Sequence, residues 1–217
     1  MNLALNKVHF PITTLGHGRR VGIWTQGCSI HCPGCLSRDT WAPDEGRAVA
    51  VGTLVETLAP WLAQADGVTI SGGEPFDQAA ALGELVAALR QHHTGDVLVF
   101  SGYSHERLFA EHRAVVEMLD VLITEPFVAG AGQTLALRGS DNQRVFLLSE
   151  LARARYPADL DQLPWPAKRR LDVVVEGDAV WMAGIPYPGE LARLRQELAR
   201  RGFTCQTSDQ PEGLVRA

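Results

Sequence analysis

Basic charge is the first thing this sequence is short of. Twenty lysines and arginines stand against 25 acidic residues, a net charge of −5 over 217 residues. A phosphate backbone is held by a positive track, so no nucleic-acid partner is expected. Long apolar runs are missing too. The longest are strand-sized, against about 20 residues for a membrane span, which argues against a membrane protein. Residues 1–10 hold one lysine and no long apolar core, unlike a signal peptide; the expectation is a soluble cytoplasmic protein. Internal repeats and low-complexity tracts are absent. Cysteine is scarce, with four in all, and these are not spaced as a disulfide framework would be. What remains, 46% hydrophobic and 21% charged residues, suffices for one substantial domain with its own core.

Three of the four cysteines crowd into one octet, Cys28-Ser-Ile-His-Cys32-Pro-Gly-Cys35, while Cys205 stands alone. In a reducing cytosol such a cluster holds metal or reacts. The spacing C-x3-C-x2-C puts three thiolates on one short loop. Thiolates are the usual ligands of iron–sulfur clusters, and a cube of four irons has four positions to fill. Three ligands leave one iron open, and open positions are where bound molecules react. The competing readings are weaker. Zinc wants a fourth ligand, from His31 or Cys205. A purely electron-transferring cluster normally has a fourth cysteine nearby, and Cys205 alone is left to supply it. Cys205 itself reads as a small core hydrophobe.

The flanking pattern predicts an α/β fold. Residues 21–25 (Val-Gly-Ile-Trp-Thr) form a β-leaning run that leads straight into the cysteine loop. From Thr53 the period turns helical, with Leu54, Val55, Leu58, Trp61 and Leu62 on one stripe and Thr53 and Glu56 spaced as a capping box. Residues 67–70 read as a buried strand ending in Ser71-Gly-Gly-Glu-Pro75. A helix follows over 77–92, then a strand over 96–100 closed by Ser101-Gly-Tyr103. Ser104 is a candidate cap for the next helix, and residues 120–124 are another strand. His92 and His93 end a helix and are expected to meet its dipole or solvent. Later, 145–148 reads as a strand, 156–166 with three prolines as a linker, 172–176 and 179–183 as a hairpin, and 188–201 as an amphipathic helix stopped by Gly202.

Strands alternating with helices imply crossover units and a parallel sheet. In such sheets ligands sit at the carboxyl ends of the strands. The loops after residues 25, 70 and 100 therefore belong on one rim.

Taken together, these motifs resemble the radical S-adenosylmethionine superfamily. The likeness is greatest to its small activating enzymes of glycyl radical proteins, of the anaerobic ribonucleotide reductase activase kind. The segments that carry it are collinear over residues 8–148. They are Thr25-Gln-Gly-Cys28, Cys32-Pro-Gly-Cys35, Thr40-Trp41, Ser71-Gly-Gly-Glu-Pro75, Ser101-Gly-Tyr103, residues 120–123 with Pro126-Phe-Val128, and Arg138-Gly-Ser-Asp-Asn-Gln143.

The resemblance implies a partial, open (β/α) barrel with parallel strands plus a short C-terminal α+β appendage, divided as residues 1–150 and 151–217. It implies a [4Fe–4S] cluster on Cys28, Cys32 and Cys35, and S-adenosylmethionine held by Gly72, Gly73 and Glu74 at its amino group. Gly34 would lie at the adenine and Ser101 at the methionine or ribose. No catalytic residue is implied beyond the cluster ligands. The partners implied are a glycyl radical enzyme and an electron donor such as flavodoxin or ferredoxin. A peptide or small-molecule substrate is the alternative, and a non-catalytic metal-binding or electron-transfer module the rival of another class. Arg138 reads either as a contact to the cosubstrate carboxylate or as a solvated loop residue. Two features depart from the family: Thr124-Glu125 replaces an Asp-Gly pair, and residues 172–217 exceed the minimal activase.

Overall fold

The apolar runs at 21–25, 67–70, 96–100 and 120–124 become the inner strands of one sheet. The computed structural model describes residues 1–165, 171–177, 179–203 and 207–210. Among these, the sheet strands are β1 (Asn2–Ile12), β2 (Arg20–Thr25), β3 (Ala48–Ala50), β4 (Gly67–Gly72), β5 (Asp96–Phe100), β6 (Val121–Thr124) and β7 (Arg144–Leu147). A separate hairpin consists of β8 (Leu171–Glu176) and β9 (Ala179–Gly184). The helices are α1 (Val51–Leu62), α2 (Ala79–His92), α3 (His105–Glu111), α4 (Arg113–Val116), α5 (Glu150–Arg155) and α6 (Glu190–Arg200).

The sheet runs β3-β1-β2-β4-β5-β6-β7. Its centre is parallel, β2 to β4 to β5 to β6. The flanks are not: β1 and β7 pair antiparallel with β2 and β6, and β3 antiparallel with β1. The parallel strands expected from the crossover pattern form the centre, and the antiparallel flanks are additions to it. Parallel neighbours need a crossover of about a dozen residues or more. Residues 13–19 are too few for one, and residues 125–143 carry no helix among them. Nor does the sheet close on itself, since β3 and β7 are its two ends. The result is a mixed α/β fold with a mostly parallel central sheet.

Burial on both faces explains the lack of alternation. All six residues of β2 are buried. On one face Val21, Ile23, Val68 and Ile70 pack against Leu54, Leu58, Leu82, Leu85 and Leu89 of α1 and α2. Leu85 is 0% exposed, and its truncation to alanine is worth about 2–5 kcal/mol. On the other face Leu98, Val121 and Ile123 meet Leu137, Tyr156 and Leu160. There Trp24 also meets Ile12, Leu15, Ala183 and Ile185. The proline-rich stretch from Tyr156 is thus docked rather than a free linker.

Two local expectations fail. Helix α1 starts at Val51, so Thr53 lies inside it and Ala50 caps with no side-chain bond; the capping box does not form. Helix α2 starts at Ala79, after a 3-10 turn over Pro75–Gln78. Strand β1 was not predicted, because its polar and apolar residues do not alternate cleanly; a bulge shifts its register twice. By contrast Ser104 caps α3 by accepting from the Arg107 amide. Helix α6 ends as expected before Gly202, at φ +83°. His93 is buried and His92 exposed, and burial lowers the His93 pKa. Cys205 lies outside the described residues.

Candidate metal centre

Parallel register brings the predicted loops together. Thr25 pairs with Gly72 at the ends of β2 and β4, so the cysteine loop and the Gly-Gly-Glu-Pro turn leave the sheet side by side. Their contact is backbone against backbone. Glu74 N–H donates to the Gly27 carbonyl (2.9 Å) and Gly73 N–H to the Thr25 carbonyl (2.9 Å). A Cβ on Gly73 would stand 1.9 Å from the Gly27 oxygen, and one on Gly72 (φ +111°) 2.4 Å from the Thr25 nitrogen. Only residues without side chains allow this approach. The glycines thus seat the cysteine loop, a role the sequence reading did not assign. On its other side the loop is pinned by Gly27 N–H to Thr40 O (2.8 Å) and Cys28 N–H to Trp41 O (3.1 Å).

Asp77 is the missed member of this rim. Its carboxylate accepts from the Ser29 amide (2.7 Å) and the Ser29 hydroxyl (2.9 Å), beside Cys28, and also from the Tyr103 hydroxyl. One side chain therefore ties the loops after β2, β4 and β5. An aspartate two residues past the Gly-Gly-Glu-Pro turn was the available signal, and it resembles any first-turn acid.

The three thiols are half-buried. Burial raises the pKa of Cys28, opposed by the backbone N–H groups of His31 and Ile30. Cys32 is raised likewise by burial, against the N–H of Phe127, with Cys35 and Cys28 adding to the rise. The Ser37 amide donates to Cys35 Sγ (3.4 Å). Cys35 thus has a backbone donor aimed at its sulfur. Backbone donors to the sulfurs are one of the means by which proteins tune iron–sulfur clusters. A metal displaces the protons that burial otherwise favours. Gly34 sits at φ +81°, a conformation that favours glycine, with Phe127 Cε1 at ordinary contact distance (3.4 Å) from where a Cβ would sit. His31, the alternative zinc ligand, stacks on Trp41 with ring centroids 4.7 Å apart. Among the described residues, the one trio of His, Cys, Asp or Glu whose ligand atoms lie within 4.8 Å of one another is His105, Glu106 and Glu125. The thiols and His31 form no such tight group.

Glu74 is 1% exposed. Its Oε1 accepts from Phe76 N–H (2.9 Å) and Ser101 Oγ (2.8 Å), and its Oε2 from Gly102 N–H (2.7 Å). All three donors are neutral. Burial outweighs them and pushes the carboxyl up to about 7. Ser101 is therefore held by Glu74 and accepts from the Tyr103 amide (3.1 Å) rather than capping the helix.

All eight residues singled out for ligand binding, Cys28, Cys32, Cys35, Gly34, Gly72, Gly73, Glu74 and Ser101, line one cavity of ≈ 500 Å³, a size suited to a nucleotide. Arg138 does not join them, and it is not solvated either. It is 1% exposed, and donates to the Gln143 (2.6 Å) and Leu160 (3.1 Å) carbonyls and to Asp161 (3.2 Å). It holds the 136–143 loop from behind. Within the Arg-Gly-Ser-Asp-Asn-Gln segment, Gln143 Oε1 takes the Gly139 amide (2.8 Å) and its Nε2 donates to the Glu125 carbonyl (3.0 Å), and both Gly139 and Gln143 line the cavity. Glu125 itself sits at φ +77°, the conformation a glycine of an Asp-Gly pair adopts without strain.

Comparison with known proteins gives the same picture. Residues 14–146 match the family described as a 4Fe-4S single cluster domain. The chain is 29% identical over 145 residues to the anaerobic ribonucleoside-triphosphate reductase-activating protein of Escherichia coli K12, covering 63% of this chain and 94% of that one. It is 29% identical over 136 residues to the protein so named in Enterobacteria phage T4, covering 60% and 85%. A 93-residue stretch is 39% identical to a pyruvate formate-lyase-activating enzyme of Staphylococcus aureus, covering 41% and 37%.

Proposed function

Because this chain belongs to the 4Fe-4S single cluster domain family, we propose that it is a radical S-adenosylmethionine enzyme that activates a glycyl radical partner protein. The observation that carries this is one cavity lined by three thiols and by a buried glutamate whose donors are all neutral. Cys28, Cys32 and Cys35 would hold the cluster. When bound, it supplies the electron that cleaves S-adenosylmethionine to methionine and a 5′-deoxyadenosyl radical, which takes a hydrogen atom from the partner.

The chain's own residues do the rest. Gly72 and Gly73 bring the β4 turn against the cysteine loop, so that Glu74 shares one cavity with the thiols that would hold the cluster. There its carboxylate receives the cosubstrate's ammonium. A cation draws a raised carboxyl back to the charged form, and a charge-assisted contact is about twice as strong as a neutral one. Ser101 and the Gly102 amide keep that carboxylate in one orientation. Trp24, Phe100 and Phe127 give the cavity apolar walls that keep water from a reactive radical. Gly34 leaves room at the adenine.

Finer points rest on the same reading. The open sheet is a partial barrel whose inner face lines the cavity. Residues 1–150 form the radical core, and 151–217 a linker and extension, in keeping with a family match that ends at residue 146. The electron comes from a flavodoxin or ferredoxin. A cytoplasmic setting suits thiols that must stay reduced, and no described helix is long and apolar enough to cross a membrane.

Anaerobic reconstitution with iron and sulfide, followed by dithionite and S-adenosylmethionine, tests the chemistry. 5′-Deoxyadenosine should accumulate; a normal cluster without it refutes the proposal. A glycyl doublet in a co-purifying partner's EPR spectrum tests the activation step, and deoxyadenosine formed without that doublet moves the reading to a peptide or small-molecule substrate.

A further inference from the structure

The cavity is not built by the family-matched residues alone. Its far wall is residues 184–192, with Asp209, all beyond the match. This wall is fastened at both sides. Towards β1, Asp172 accepts from the Thr13 amide (2.6 Å), the Thr13 hydroxyl (2.7 Å) and the Thr14 hydroxyl (2.9 Å). Trp181 stacks on His9 at 3.6 Å and meets Trp24 edge-on at 5.6 Å. Ile185, 8% exposed, packs with Ile12, Leu15 and Trp24. Towards the cysteine loop, the Ser208 hydroxyl donates to the Leu36 carbonyl (2.6 Å), and the Asp39 amide to the Ser208 carbonyl (3.1 Å). Arg195 of α6 holds Asp209 at 2.8 Å. The extension therefore spans from the inner sheet face to the residues just past Cys35.

What it turns towards the cavity is mostly apolar, with Glu190 and Asp209 its two acidic members. Ile185, Pro186, Tyr187, Pro188 and Leu191 line it. The two prolines fix φ on either side of Tyr187, so little conformational freedom is left to lose on binding. Tyr187 keeps 41% of its surface exposed at the mouth, and Glu190 accepts from its backbone amide (2.8 Å). An aromatic face on a rigid turn opposite the cluster loop matches the flat, weakly polar body of a nucleoside.

We propose that the extension is a cosubstrate-binding wall, with Tyr187 a binding residue for the adenosyl group of S-adenosylmethionine. This rests on the cosubstrate reading given above. The wall adds contacts from beyond residue 146 and turns an open groove into a four-sided cavity. Binding is measured on the reconstituted full chain. Hydrogen exchange with and without S-adenosylmethionine should slow about threefold or more over residues 184–192, as well as over residues 71–76. Slowing at 71–76 with none at 184–192 overturns the wall while leaving the cosubstrate site intact. No slowing at either overturns the cosubstrate reading itself and the wall with it. As a second measure, Tyr187→Ala should raise the Kd for S-adenosylmethionine about fivefold, with an unchanged cluster spectrum, and Tyr187→Phe should restore it. An unaltered Kd in the alanine variant contradicts the assignment of Tyr187.

Discussion

Two buried carboxylates, Glu74 and Asp96, stand at opposite ends of neighbouring parallel strands and are treated in opposite ways. At the amino end Asp96 is 0% exposed. It accepts from Arg20 Nη2 (2.8 Å), Arg155 Nη1 (2.8 Å) and the Tyr156 hydroxyl (2.9 Å). Burial alone would raise its pKa, but Arg20 and Arg155 more than reverse that, and the carboxyl lies below its usual range. At the carboxyl end Glu74 has hydrogen bonds and no cation among those donors, and burial raises it to about 7. The amino end is a lock of two arginines on one aspartate between β2, β5 and α5. The carboxyl end holds an acid whose compensating charge is left for a ligand to bring. Stability is built at one end and binding capacity at the other, as in open parallel sheets generally.

The contrast can be broken at several points. The largest effect belongs to the thiols. Replacing any of Cys28, Cys32 or Cys35 with alanine should abolish the cluster's visible absorption and deoxyadenosine formation. The thermal midpoint of the apoprotein should barely move, because these residues are only half-buried. Next comes the lock. Arg20→Met leaves Asp96 facing one cation fewer and should cost about 3–5 kcal/mol, read as a lowered urea midpoint. Glu74→Gln should do the reverse. The folded carboxyl at about 7 against a reference of 4.5 means the folded apoprotein holds its proton longer than the unfolded chain. Stability therefore falls as pH rises from about 4.5 to 7, by roughly 3 kcal/mol. The glutamine variant should lose that fall and be the more stable protein at pH 8, yet bind S-adenosylmethionine about tenfold or more weakly. The smallest effect belongs to the extension: Asp172→Asn, weakening its bonds to Thr13 and Thr14, should cost about 1 kcal/mol and speed amide exchange in β8 and β9 alone.

Much of the site was legible because its residues carry their chemistry in their type. Three thiols at short spacing, a Gly-Gly-Glu-Pro turn and strands feeding both needed only the rule that such loops share a rim. The reasons behind some residues were not legible. Gly72 and Gly73 read as exposed backbone for a ligand, while their contacts show that a Cβ would strike the cysteine loop. Arg138 read as either ligand contact or solvated, and it is neither, because its partners are carbonyls 2–22 residues away that no spacing rule reaches. Strand β1 was missed because its polar positions are satisfied from outside the strand, Asn6 by Gln26 and Lys7 by Asp39. The extension's hairpin and helix were visible as local patterns. Their place against Trp24 and Leu36 is tertiary, and nothing local encodes it.

The proposed cluster is a cube held by three protein sulfurs, its fourth iron left to the cosubstrate. Mössbauer spectra of the 57Fe-reconstituted protein test it most directly. Adding S-adenosylmethionine should shift the signal of one iron in four and leave three unchanged. A spectrum indifferent to S-adenosylmethionine, or protein that takes up a single zinc in place of the cube, would contradict it.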